Sequence, residues 1–179
     1  MSTAKIDDLL ERIGDRAENL FRSKQFMCTE SVLLAVSKGL GRDLSEETAT
    51  ALAAPFSDGM GGSGCTCGAL SGGVMSIGLC LGGGNARGRR ARSRRFSKEL
   101  HGRFTRQFRS ACCRVLSRDV RENPRRHFDQ CAAITGATAK MTARLILEQE
   151  QGLADHGDLS FLNDRHSVIG GLFKRIMPN

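Results

Sequence analysis

Gly59-Met60-Gly61-Gly62-Ser63-Gly64-Cys65-Thr66-Cys67-Gly68-Ala69-Leu70-Ser71-Gly72-Gly73 opens the stretch on which the reading of this chain turns. The uncharged segment continues to Gly84 and holds three of the seven cysteines, Cys65, Cys67 and Cys80. Its glycines let the backbone bend tightly around whatever Cys65 and Cys67 contact. They do not make a phosphate-binding loop, because no Gly-Lys-Ser/Thr ending follows and no strand-like run precedes. From Cys67 onward the pattern predicts a helix ending at Gly82. Val74, Ile77, Leu79 and Leu81 cover several of its sides, so it should be central. Gly68 and Gly72, like Gly78 and Gly82, lie four apart and leave a flat strip for a second backbone, within this chain or in a homodimer. Cys67 to Gly84 spans 18 uncharged residues, just the length of a membrane span. Its glycines and two serines point instead to a buried core helix, and no membrane span is expected. Cys80, well past the loop, reads as core.

Outward from this segment, every recognisable pattern is helical. Ile6, Leu9, Leu10, Ile13, Ala17, Leu20 and Phe21 recur at helical spacing over about residues 4 to 24, with Gly14 assigned to the polar side. A second helix fits Cys28 to Lys38, stopped by Gly39 and Gly41. Ser45-Glu46-Glu47 opens a short third one, with carboxylates in the first turn, where the dipole favours them. After Gly84, Ala86 to Arg95 carries six arginines in ten residues and reads as a loop or as the start of the next helix. Phe96, Leu100, Phe104 and Phe108 mark that helix over Ser93 to Ser110. Arg118 to Arg126 reads as a connection, and a last long helix runs from Phe128 to about Gln151. No repeat or alternating strand pattern is visible. The expected fold is all-α: a compact bundle of about five to seven helices, with the glycine-rich loop leading into a central apolar helix. Residues 1–151 form the cysteine-containing domain. Residues 152–179 form an extension, with a short amphipathic helix expected over Val168 to Ile176.

With 179 residues the chain can bury a core without disulfides to hold it. It lacks Trp and Tyr, which weakens any reading that needs aromatic stacking platforms for single-stranded nucleic acid. The net charge of +8 is concentrated: fourteen arginines lie between Arg87 and Arg126. Such a block suggests an acidic partner, nucleic acid among the alternatives, although no zinc-finger or recognition-helix motif accompanies it. The N-terminal residues are amphipathic and carry acids, without the apolar core of a secretory signal, so a cytoplasmic location is expected. There thiols stay reduced, and clustered cysteines serve metal binding or catalysis more often than structural disulfides. The odd count of seven cysteines also argues against a closed disulfide framework.

The cysteines sit at predicted element ends. Cys28 and Cys131 fall in the first turns of helices, Cys65 and Cys67 at the start of the central helix, and Cys112 and Cys113 at a helix end. Side chains at element ends can converge at one end of a bundle. A helix N-terminus also favours thiolate.

At this point the chain resembles a family of redox-active proteins named for four cysteines and a CGAxxG motif. The motif is Cys67-Gly68-Ala69-Leu70-Ser71-Gly72. The upstream cysteine looks like Cys28, before the helix Ser31 to Val36. The third looks like Cys113, in Cys113-Arg114-Val115-Leu116, and the fourth like Cys131. Order and spacing agree from about Phe26 to Leu147. Cys65, Cys80, Cys112, the arginine run and the tail after Gly152 are additions to that pattern. The resemblance implies a small helical, cysteine-dependent protein of mostly bacterial or archaeal origin, without implying a defined reaction. A similar module accompanies haem in split-Soret cytochromes, where it is associated with an iron–sulfur centre.

Three functions follow. In the first, Cys28, Cys67, Cys113 and Cys131 hold an iron–sulfur cluster, or less readily a structural zinc, in an oxidoreductase or electron-transfer protein with its own redox partner. In the second, Cys67 and Cys113 exchange disulfides without metal, with Cys65 and Cys112 as resolving thiols. In the third, the arginines bind nucleic acid. Covalent haem is not expected, since no Cys-x-x-Cys-His is present. His127, four residues before Cys131, is a spare ligand or a surface side chain.

Overall fold

Residues 3–82 and 86–166 are described from a computed structural model. The helix expected over Val168 to Ile176 lies outside them. The fold is all-α. Among the described residues six helices of eight residues or more carry it: α1 (Thr3–Arg22), α2 (Cys28–Gly39), α3 (Glu46–Ala53), α5 (Gly68–Leu81), α6 (Ala86–Phe108) and α8 (Pro124–Leu147). This number lies within the expected five to seven. Three further pieces of four or five residues, α4 (Ser57–Met60), α7 (Cys113–Ser117) and α9 (Leu159–Asn163), were not anticipated, because one turn is too short to leave a periodic pattern. The 3₁₀ turns Ala54–Phe56 and Gln151–His156 complete the described residues.

Helix α8 packs against α1, α2, α5 and α6, and α2 packs against α1 and α5. The core they enclose is aliphatic: Leu10, Ile13, Leu20, Leu34, Leu70, Ile77, Leu81, Leu100 and Leu145 are nearly fully buried, with Phe104 beside them. Gly14 does not lie on the polar side of α1. It is buried, and a Cβ there would stand 3.2 Å from the Gly136 carbonyl oxygen of α8. Reciprocally, a Cβ on Gly136 would meet the Gly14 carbonyl at 3.0 Å. The two backbones cross at glycines, where even a methyl group would be tight.

Helix α5 is central, as its sequence predicts, although not buried all round. Gly72 faces α2, and Gly73 faces Leu100 of α6 and Thr142 of α8, whereas Val74, Gly78 and Leu79 are exposed. The arginine run is helical: α6 begins at Ala86 and absorbs it, and Arg92 reaches Glu150 at 2.7 Å. Helix α8 begins one turn before the expected Phe128. Pro124 takes its first position, where the missing N–H costs nothing, and the Asn123 side chain accepts the Arg126 N–H at 3.0 Å.

The described part of the extension packs on α1 and α2 through Phe161 and Leu162, both buried. Arg16 of α1 is fully buried beneath it. Its guanidinium stacks 4.5 Å from the Phe161 ring centre and donates to the Asp164 carbonyl at 2.9 Å and carboxylate at 3.2 Å.

Candidate functional site

The site is built where three helices begin. Cys28 is the first residue of α2, Cys67 caps the N-terminus of α5, and Cys113 is the first residue of α7. The fourth thiol, Cys131, comes from the second turn of α8. These four cysteines line one cavity of about 600 Å³ with a mostly apolar wall that includes Phe21, Phe128 and Ile134.

Two local structures place the thiols. The first is the turn Ser57–Gly62. Asp58, Gly59, Met60, Gly61 and Gly62 all have positive φ, between 52° and 85°, so the chain winds left-handed through five consecutive residues. The Gly61 N–H closes this turn on the Ser57 carbonyl at 2.9 Å. A left-handed turn disfavours Cβ by roughly 1–2 kcal/mol per residue, which accounts for the glycines and leaves Asp58 and Met60 strained. The turn delivers the Asp58 N–H to the Cys28 sulfur, and the hydroxyls of Thr29 and Ser57 join it. Ser57 in turn donates to Thr29 at 3.1 Å.

The second is a short antiparallel contact between residues 64–67 and 111–114, with Thr66 bridged to Cys112. The Cys67 N–H donates to Ala111 at 2.8 Å, the Cys113 N–H to Cys65 at 2.5 Å and the Arg114 N–H to Gly64 at 3.0 Å. Side chains alternate across such a ribbon. Cys67 and Cys113 accordingly line the cavity, while Cys112 does not; its thiol donates to the Gly64 carbonyl at 3.2 Å. Cys65 is exposed and Cys80 is buried in the core. Strand phase thus puts Cys113, rather than the adjacent Cys112, in the cavity wall.

Burial is the main influence on all four cavity thiols, and it raises their pKa. Cys67 is pushed up to about 12 by burial and then by the neighbouring Cys28, against the amide groups of Leu70 and Ala69, which favour its thiolate. Cys131 is also pushed up to about 12, by burial and then by Cys28, Cys113 and Asp58. Cys28 is raised by burial and then by Asp58, and Cys113 by burial and then by Cys28, Asp58 and Cys112. Cys28 acts on each of the other three, and Cys113 acts on Cys67 and Cys131. As free thiols they are neutral at physiological pH, and removing their protons together requires a compensating positive charge in the cavity.

The sequence did not reveal Asp58, the one carboxylate among the lining residues, nor the arginines Arg114 and Arg121 as part of the wall. The signal for Asp58 was its place at the head of the glycine run, where a short polar side chain tolerates left-handed backbone best. His127 also lines the cavity. Among the described residues, no three His, Cys, Asp or Glu side chains are drawn together tightly enough to hold a single metal ion. The four thiols stand around a void instead. No helix among these residues is long and apolar enough to cross a membrane.

The family model described as "Putative redox-active protein (C_GCAxxG_C_C)" matches residues 26–145. The chain belongs to this family. The matched residues run from just before Cys28 to the last turn of α8 and include all four cavity cysteines. No curated protein and no solved structure matches the chain.

Proposed function

We propose that this protein is a redox protein whose working centre is the four-thiol cavity, with Cys28, Cys67, Cys113 and Cys131 holding an iron–sulfur cluster. The observation that carries this reading is the convergence of four thiols, from four separate elements, on one void. Four thiolates are the usual ligand set of such clusters, and a cluster, unlike a zinc ion, occupies a volume rather than a point. The donors around Cys28 and Cys67 support it, since hydrogen bonds to cluster sulfurs set their potential. When bound, the cluster would supply one-electron transfer. This chain's own residues fix three of the thiols at helix starts and the fourth in α8, line the cavity with Phe21 and Phe128, and hold Asp58 beside the sulfurs. The test is iron and acid-labile sulfide analysis, with a visible spectrum, on protein prepared without oxygen. Stoichiometric iron and sulfide, lost in Cys131→Ser and retained in Cys80→Ser, is the expected result. Protein without iron, sulfide or a visible band overturns the reading.

One observation favours a second reading. The bond between the Cys113 N–H and the Cys65 carbonyl sets exposed Cys65 across from Cys113. In a metal-free protein these two thiols would form a disulfide. They would give up two electrons and two protons to an external disulfide, which leaves as two thiols. Alkylation before and after mild oxidation, read by mass spectrometry, tests this. A linked Cys65–Cys113 peptide is expected, and an unchanged count of free thiols rejects it.

A further inference from the structure

The cavity's basic wall supplies none of the four thiols. Arg114 and Arg121 both line it, opposite one carboxylate, that of Asp58. Several arginines elsewhere on this surface are paired, Arg22 with Glu18 and Asp129, Arg92 with Glu150, and Arg103 with Glu99 and Glu148. Among the described residues neither Arg114 nor Arg121 has a carboxylate partner. Arg114 is nonetheless held in place, because one of its guanidinium nitrogens donates to the Ser63 carbonyl at 2.9 Å. A guanidinium carries five N–H donors in a rigid fork, so most of its capacity remains for a ligand. The cavity of about 600 Å³ lies within the range of about 300–1,000 Å³ typical of small-molecule sites. Its apolar side, Phe21, Phe128 and Ile134, suits a hydrocarbon body.

We propose that the cavity binds a small organic anion, its carboxylate or phosphoryl group on Arg114 and Arg121 and its apolar body against Phe21, Phe128 and Ile134. This deepens the reading of the cavity as the working site, and names the charge and shape of the molecule that reaches the thiols. Bidentate pairing of an arginine with an oxyanion is charge-assisted and stronger than a neutral hydrogen bond, so charge should dominate selection.

The experiment is isothermal titration calorimetry on the full chain as purified, with 3-phenylpropionate as the probe and 3-phenylpropanamide as its neutral counterpart. Saturable binding of the anion at one site per chain is expected, at least about tenfold weaker for the amide. Arg114→Gln and Arg121→Gln should each weaken the anion about tenfold, whereas Arg118→Gln, outside the cavity wall, should not. All three arginines are exposed, so these variants should fold. Equal affinity for anion and amide overturns the proposal. So does binding indifferent to both cavity substitutions, or binding of polyglutamate with none of the small anion, which would make this a protein-docking surface. Iron and sulfide analysis of the same samples reads the cluster separately, so either idea can fail alone.

Discussion

The sulfur of Cys28 stands where a Cβ on Gly68 would fall, leaving no room for a methyl group between α2 and α5. The second glycine of the contact, Gly72, is likewise pressed on Thr29 and Val32 of α2. The two helices that supply Cys28 and Cys67 are therefore locked together at the residue after Cys67.

Gly68→Ala should consequently damage stability and site together. Its Cβ would fall on the Cys28 sulfur and come within 2.6 Å of the Thr29 hydroxyl, so one helix must shift. Overpacking of this kind costs about 1–3 kcal/mol. Gly78→Ala is the internal control, since nothing lies within 4 Å of a Cβ there. Relief of glycine's entropy cost in a helix should stabilise it by about 0.5–1 kcal/mol. Urea unfolding of the two variants distinguishes them by opposite signs.

Gly59→Ala combines both penalties. Its φ is +69°, and a Cβ would stand 2.6 Å from that of Cys113 and 2.7 Å from the Cys65 nitrogen. A loss of about 2 kcal/mol or more is expected from backbone strain and overlap together. Asp58→Gly, with φ of +52° at the same turn, should go the other way and gain up to about 1 kcal/mol. A destabilised Asp58→Gly would show that the carboxylate itself, rather than the backbone, holds the turn.

Alkaline pH should unfold the reduced, metal-free protein. Cys67 and Cys131 are held at about 12 and Cys80 at about 11, against an ordinary value of 9.0. Burial is the leading cause at each. The unfolded chain thus loses these protons first. The stability from neutral buried thiols is complete below pH 9 and is lost as pH rises toward 12. No Tyr complicates the titration. The urea midpoint should fall steadily above pH 9, and a midpoint that stays level to pH 11 would contradict the burial. At neutral pH, iodoacetamide should label exposed Cys65 well before Cys67 or Cys131.

Arg16 and Asp164 should respond unequally. Asp164→Asn leaves a fully buried guanidinium with a weakened partner and should cost about 1–3 kcal/mol. Arg16→Met removes the charge while keeping an apolar stem on Phe161, and should cost less. Thermal unfolding of both variants gives the order, and a more damaging Arg16→Met would mean that packing, not charge, fastens the extension.

Much of this fold could be read in the sequence because its long helices carry clear periodicity. Leu9, Leu10, Ile13, Ala17 and Leu20 are buried as their spacing predicts, and Cys80 lies in the core. The misreadings have physical causes. Gly14 looked polar because a glycine has no hydropathy to betray a backbone crossing, and its partner Gly136 lies far away in sequence. The arginine run left a loop and the start of a helix both open, because charge alone carries no periodicity; it is the start of α6, with Glu150 pairing Arg92 from outside. Four of the cysteines read as lying at element ends do line one cavity. Arg114 and Arg121 could not be singled out among fourteen arginines, because their place in the wall depends on how α7 and the loop after it are set against α8.

The turn from Asp58 to Gly62 has one more implication, concerning handedness. Seen in a mirror it is an ordinary right-handed turn, so the natural occupants of its backbone are residues of opposite chirality. A chemically synthesised chain carrying D-alanine at Gly61 would have a backbone preference that agrees with the native one, whereas L-alanine there would oppose it. Along these few residues the fold selects by chirality more than by polarity or size, and it does so directly beside the sulfur of Cys28.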